Sequence, residues 1–201
     1  MPPDFKHEHR LWQAGHRYLA GLDEAGRGCL AGPVVAAAVI LPPDVRKLDG
    51  IDDSKKLSPQ ARERCFAQIQ QKAVAIGIAV GMPEEIDELN ILRASLMTME
   101  RAVTRLQVKP DYLLIDGPYG LDLPFPQLCL KHGDSQSLSI AAASIVAKVY
   151  RDQMMTTYHT IFPYYNFKKN KGYPTRDHKG AIKKHGLCYL HRRSFKLPEH
   201  D

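Results

Sequence analysis

Two apolar runs separated by a short charged turn constrain this chain more than any other feature. Tyr18-Leu19-Ala20-Gly21-Leu22 and Gly32-Pro33-Val34-Val35-Ala36-Ala37-Ala38-Val39-Ile40-Leu41 read as buried strands. The few residues between them leave no room for a crossover helix, so the two strands pair antiparallel. The connecting run, Leu22-Asp23-Glu24-Ala25-Gly26-Arg27-Gly28, puts two carboxylates where the first strand ends and follows them with a glycine-flanked arginine. Glycine at 26 and 28 lets the backbone turn with positive φ and approach a ligand closely. Such a turn suits a metal and a phosphate together; a tight turn with solvated charges is the competing reading, and other segments must decide between them.

Further along, Ser58 can cap a helix that has Pro59 at its first position and runs to about Ala73. Ala75-Ile76-Gly77-Ile78-Ala79-Val80-Gly81 reads as a third strand, and Pro83 to Leu106 carries helical spacing. Asp111 to Asp116 reads as a buried strand broken by Gly117-Pro118, and Gln127-Leu128-Cys129-Leu130 as a weaker one. Ser135 to about Thr157 is a helix rich in small residues, which permit close packing on a sheet. A last helix runs from Arg176 to His185, with Thr175 as cap and Gly186 as stop. The predicted class is α/β: a five-stranded mixed sheet flanked by helices.

With 201 residues, 44% of them hydrophobic, the chain holds one domain with a full core. Its net charge of +6 favours an anionic partner. From Lys168 to Lys196 basic pairs recur among His178, His185 and His191, a pattern that fits a nucleic-acid backbone or a solvated charged tail. Cys29, Cys65, Cys129 and Cys188 are widely spaced, which argues against zinc and against a disulfide framework. No signal-peptide layout and no bilayer-length apolar run is present, so the expected setting is a reducing cytoplasm, without a membrane.

Asp116 ends a strand, and Asp134 precedes the alanine-rich helix, which it could cap. If these ends meet those of Asp23 and Glu24, four carboxylates share a cavity, and like charges at that range raise one another's pKa unless a cation joins them. An all-oxygen donor set favours Mg²⁺, with Mn²⁺ as substitute. Two such ions suit phosphodiester hydrolysis. Lys55, in Asp52-Asp53-Ser54-Lys55-Lys56-Leu57, and the pair Ser144 and Lys148, four apart on one helix face, are candidate phosphate contacts, with a solvated loop and a packing serine as alternatives. Tyr173, fixed in Gly172-Tyr173-Pro174-Thr175, can stack on a sugar or base and reach a 2′-hydroxyl; a packing tyrosine is the competing reading.

Taken together, these segments resemble ribonuclease HII, the bacterial type 2 ribonuclease H, from Ala20 to Phe195. The resemblance rests on Asp23-Glu24-Ala25-Gly26-Arg27-Gly28, Asp53-Ser54-Lys55-Lys56-Leu57-Ser58, Glu88-Leu89-Asn90-Ile91-Leu92, Ile115-Asp116-Gly117, Gly133-Asp134-Ser135, Ala141 to Val149, Lys171-Gly172-Tyr173-Pro174-Thr175 and His191-Arg192-Arg193-Ser194-Phe195. It implies a ribonuclease H-like fold over 15–160 with a small helical C-terminal extension over 161–201 that contributes to substrate binding. It further implies an endonuclease acting on RNA·DNA hybrids and on duplex DNA that carries a ribonucleotide, cutting 5′ to the ribonucleotide and leaving 5′-phosphate and 3′-hydroxyl ends.

By motif position, Asp23, Glu24, Asp116 and Asp134 would be the catalytic, metal-binding set, holding two ions once substrate is bound. Gly26, Arg27 and Gly28 would read the 2′-hydroxyl, with Tyr173 stacking beside it and Lys55, Ser144 and Lys148 on phosphates. Two positions depart from the family's usual pattern: Cys29 stands where proline is common, and His132 where lysine is. The first bears on the turn that reads the sugar, and the second puts an imidazole near the fourth carboxylate. A non-catalytic hybrid-binding module and a general metal-dependent duplex nuclease are the alternatives. No sliding-clamp motif is legible in Arg192 to Asp201, and a monomer is expected.

Overall fold

The computed structural model describes residues 2–43, 45 and 48–196. The expected loop from Pro42 to Leu57 therefore falls in part, at 44, 46 and 47, outside the described residues, as does the end of the 192–201 segment. Five strands, β1 (Leu19–Ala25), β2 (Val34–Ile40), β3 (Ala75–Gly81), β4 (Tyr112–Asp116) and β5 (Gln127–Leu130), form one sheet in the order β3-β2-β1-β4-β5. The directly joined strands β1, β2 and β3 pair antiparallel, while β4 lies parallel to β1 and β5 parallel to β4. This is the mixed sheet expected from the element order.

One face is covered by α5 (Leu138–Ile161) with α2 (Pro59–Lys72), the other by α4 (Ile91–Thr104). The small residues of α5 explain its position: Ala141, Ala142, Ala143 and Ala147 are fully buried, and a Cβ on Gly21 of β1 would overlap the Ser139 main chain. Glycine on the strand and alanine on the helix thus bring the two backbones together, seating α5 against the strand that carries Asp23. Val34, Val35, Val39 and Ile40 of β2 are also fully buried, each contributing about 1.5–3 kcal/mol.

Local signals placed α2, whose cap Ser58 accepts from the Ala61 amide at 3.2 Å, and α7 (Arg176–His185), capped by Thr175. Three expectations need correction. β1 continues three residues past Leu22, so Asp23 and Glu24 lie within the strand, opposite Ala37 and Ala36 of β2. The helical run 83–106 is two helices, α3 (Pro83–Leu89) and α4, broken at Asn90, which takes φ of 66° and caps α4 by accepting from the Leu92 and Arg93 amides. Asp134 does not cap α5: Ser137 does, and Asp134 sits in a 3-10 turn, Gly133–Ser135, ahead of it.

Sequence reading gave no expectation for α1 (Lys6–Gln13) or α6 (Phe167–Asn170). In α1 the carboxylate of Glu8 is fully buried and accepts from Ser137 Oγ at 2.7 Å and the Ser139 amide at 2.9 Å, fastening the start of α5. Beyond α5, Tyr165, Phe167, Ile182 and Leu190 form a small core with Leu30, Ala31 and Met155. Among the described residues no helix is long and apolar enough to cross a membrane, and all four cysteines are free.

Candidate active site

The carboxylates come together because β1 and β4 run parallel. Leu22 pairs with Ile115, so Asp23 and Asp116 are the next residues on adjacent strands. Side chains alternate along a strand, which puts Asp23 on the α5 face with Gly21 and Ala25, and Glu24 on the other face with Leu22. The Asp134 turn is drawn in from the third side, where the Gly133 amide donates to Asp116 Oδ1 at 2.7 Å.

The proximity has an electrostatic consequence. Burial lifts Asp23, 5% exposed, well above the usual carboxylate range, and the charges of Glu24, Asp116 and Asp134 lift it further. The Glu24 amide, donating to Asp23 Oδ1 at 2.6 Å, opposes this. Glu24 is raised by burial, an effect countered by Arg27, whose Nη1 is 3.3 Å from Glu24 Oε1, and reinforced by Asp116. Asp134 is raised by burial and then by Asp53 and Asp116. Like charge and burial together leave this cluster short of positive charge.

The nearby cations are Arg27 and Lys55. Burial alone would lower Lys55, yet Asp23, Asp134, Asp53 and Asp116 outweigh it and raise the ammonium, so Lys55 belongs to the cluster's surroundings. Asp53 is the acidic neighbour that sequence reading missed; it sat beside the lysines that drew attention to the loop. The all-oxygen donor set and its excess negative charge fit a hard divalent ion. As the side chains stand, no three His, Cys, Asp or Glu residues among those described are arranged to hold one.

The phosphate candidates separate. Ser144 is 2% exposed and accepts from the Ser54 amide at 3.3 Å, tying the Lys55 loop to α5. Lys148 pairs with Asp152 at 2.7 Å, and its ammonium lies 5.7 Å from the centroid of the Tyr173 ring. Tyr173 is 38% exposed; burial raises its hydroxyl, and the neighbouring Cys29 raises it further. The loops on either side of this contact interlock, since the Leu30 amide donates to the Gly172 carbonyl at 2.8 Å. Arg27 and Gly28 are exposed.

The basic C-terminal run divides. Lys168, Lys169, Lys183 and Lys184 face solvent, whereas His178, His191 and Arg192 are buried and structural. His178 Nε2 meets His191 Nε2 at 3.2 Å while its Nδ1 contacts the Tyr173 carbonyl at 2.9 Å. His132 is exposed and left-handed, with φ of 56°.

A mixed sheet with carboxylates gathered at the ends of its central parallel strands, flanked by a glycine-rich turn and an exposed tyrosine, defines a ribonuclease H-like nuclease. The ribonuclease H2 of Pyrococcus horikoshii OT3 shares the fold, with a TM-score of 0.77 at 24% identity over 90% of this chain and 94% of that one. So does Bst-RNase HIII, solved in complex with Mn²⁺, with a TM-score of 0.71 at 22% identity over 92% of this chain and 68% of that one. The family model for ribonuclease HII matches residues 20–198. Ribonuclease HII of Syntrophotalea carbinolica is 54% identical over 189 residues, 94% of this chain and 90% of that protein. The chain belongs to the ribonuclease HII family of endoribonucleases, which cleave RNA in RNA·DNA hybrids.

Proposed function

We propose that this chain hydrolyses the RNA strand of RNA·DNA hybrids and cuts 5′ to single ribonucleotides embedded in duplex DNA, leaving 5′-phosphate and 3′-hydroxyl ends. The observation that carries the reading is the cluster of Asp23 and Asp134, buried, with Glu24 and Asp116, half-buried, short of positive charge and beside the exposed Arg27-Gly28 turn. These four residues would hold Mg²⁺ or Mn²⁺, two ions once substrate is bound, supplying an activated water and charge stabilisation for the departing 3′-oxygen.

The chain's own groups do the rest. Glu24, paired with Arg27 at 3.3 Å, would be a ligand of such an ion, and Arg27 would then be available to a phosphate. Lys55, held toward the cluster by its charge, contacts the scissile strand, with Ser144 supporting that loop and Lys148 serving the phosphate beside Tyr173. The main chain of Gly26, Arg27 and Gly28 reads the 2′-hydroxyl while Tyr173 stacks at the adjoining step. Residues 15–160 are the catalytic unit, and 161–201 an extension whose exposed lysines follow the duplex backbone. The protein works as a monomer in the cytoplasm, with nucleic acid as its partner.

The test is cleavage of a labelled DNA duplex carrying one ribonucleotide, beside an all-DNA duplex and an RNA·DNA hybrid, with Mg²⁺, Mn²⁺ or chelator. A metal-dependent cut 5′ to the ribonucleotide, absent from all-DNA, is expected. Cutting of both duplexes would leave a general nuclease, and binding without a cut would leave a hybrid-binding module.

A further inference from the structure

Two buried arginines, left unused by this functional reading, hold six main-chain carbonyls in and around the two loops assigned to ribose. Arg192, 2% exposed, donates from Nη1 to the Arg27 carbonyl at 2.8 Å and from Nη2 to the Gly26 carbonyl at 2.7 Å. It also reaches the Gly32 carbonyl from Nε at 3.1 Å and from Nη2 at 2.9 Å. Arg151 of α5, fully buried, donates to the carbonyls of Pro33 at 2.8 Å, Lys171 at 2.9 Å and Ala31 at 3.1 Å. Its guanidinium fills the space a Cβ on Gly26 would need.

Arg192 is itself firmly seated. Its amide donates to the Leu30 carbonyl at 2.9 Å, and the next two amides donate to Asp87 of α3, each at 2.9 Å. Burial lowers the guanidinium to about 10, so it stays charged at neutral pH. In a planar trans peptide the carbonyl of one residue and the amide of the next point in opposite directions. Fixing the Gly26 and Arg27 carbonyls inward on Arg192 therefore turns the Arg27 and Gly28 amides outward, on the exposed side of the turn.

The geometry points to Arg192 as a positioning residue that sets ribose specificity: it presents the Arg27 and Gly28 amides to the 2′-hydroxyl, while Arg151 locks that turn to the loop carrying Tyr173. The inference deepens the ribose reading proposed above and rests on it. Lysine cannot replace the fork, because one ammonium cannot span three carbonyls spread along the turn.

The test compares wild type with Arg192→Lys and Arg192→Gln on a duplex carrying one ribonucleotide and on the same duplex with 2′-deoxyribose there. In Mg²⁺, kcat, KM and the cooperativity of thermal melting are measured. In a variant that melts cooperatively, kcat on the ribonucleotide duplex should fall about a hundredfold, with KM little changed and discrimination against deoxyribose reduced. The glutamine variant serves if the lysine variant does not fold. Wild-type kcat and discrimination in a folded variant would overturn the assignment, as would a loss shared equally by kcat and KM, the mark of a general structural defect. A wild type that cuts both duplexes equally would instead overturn the ribose reading itself.

Discussion

Asp23→Asn should stabilise the metal-free fold while removing activity. Asp23 is 5% exposed, and its carboxyl is raised above 3.8 by burial first and then by Glu24, Asp116 and Asp134. Between the unfolded value and the raised one the folded state holds a proton that the unfolded chain has released. Stability from this group is therefore complete below about pH 3.8 and is lost as pH rises through the raised value. Asparagine has no charge to desolvate, its Oδ1 can keep the bond that the Glu24 amide makes to Asp23 at 2.6 Å, and its amide donates toward the remaining carboxylates. Relief of a buried group this poorly compensated is worth about 1–3 kcal/mol. For a chain of this length each kcal/mol moves Tm by about 2–4 °C. Calorimetry in chelator from pH 4 to 8 should show the variant melting above wild type by about 2–12 °C at pH 8, with the gap closing toward acid. Adding Mg²⁺ should raise the wild type more than the variant. Equal or lower melting of the variant at pH 8, or a gap independent of pH, would refute the charge-deficient cluster.

Other outcomes test other parts of the molecule. Asp116→Asn, which keeps an acceptor for the Gly133 amide, should lower kcat at saturating Mg²⁺ by at least about a hundredfold while leaving hybrid binding intact in a filter or anisotropy assay. Gly21→Ala should lower Tm and leave a poorly folded protein by near-ultraviolet circular dichroism, because the added methyl meets the Ser139 main chain rather than a movable side chain. Burial and then the neighbouring His178 depress His191 from 6.5 to about 4. Its contribution is thus present above pH 6.5 and is lost as pH falls toward 4; His191→Asn should flatten the acid limb of the Tm profile relative to wild type. Tyr173→Ala should weaken cutting at a single ribonucleotide by roughly 5- to 150-fold, the range for one base-stacking contact, measured as kcat/KM on the ribonucleotide duplex.

Local physics made much of this protein legible in its sequence. Ser58 followed by Pro59 starts a helix through its own hydroxyl and fixed φ, and Ala75 to Gly81 forms a strand at the residues its composition marks. The five strands and the small-residue helix follow from patterns within a few residues of one another. The four carboxylates were legible as candidates for one cluster too, because each lies at or near the end of an apolar segment. Asn90 was not, since apolar spacing runs through it and only its φ of 66° shows that the helix breaks there.

Tertiary structure alone decided which charges meet. Only the parallel pairing of β1 and β4 sets Asp23 beside Asp116, and only the Gly133 amide on Asp116 brings the Asp134 turn to them. In sequence, Arg192 is one more basic residue in a cationic tail. In the fold it is buried, and its partners are carbonyls some 160 positions earlier in the chain. The reason is physical: helix caps and strand alternation are satisfied by near neighbours, whereas a buried charge must find its partners wherever the folded chain places them, and no spacing rule encodes that.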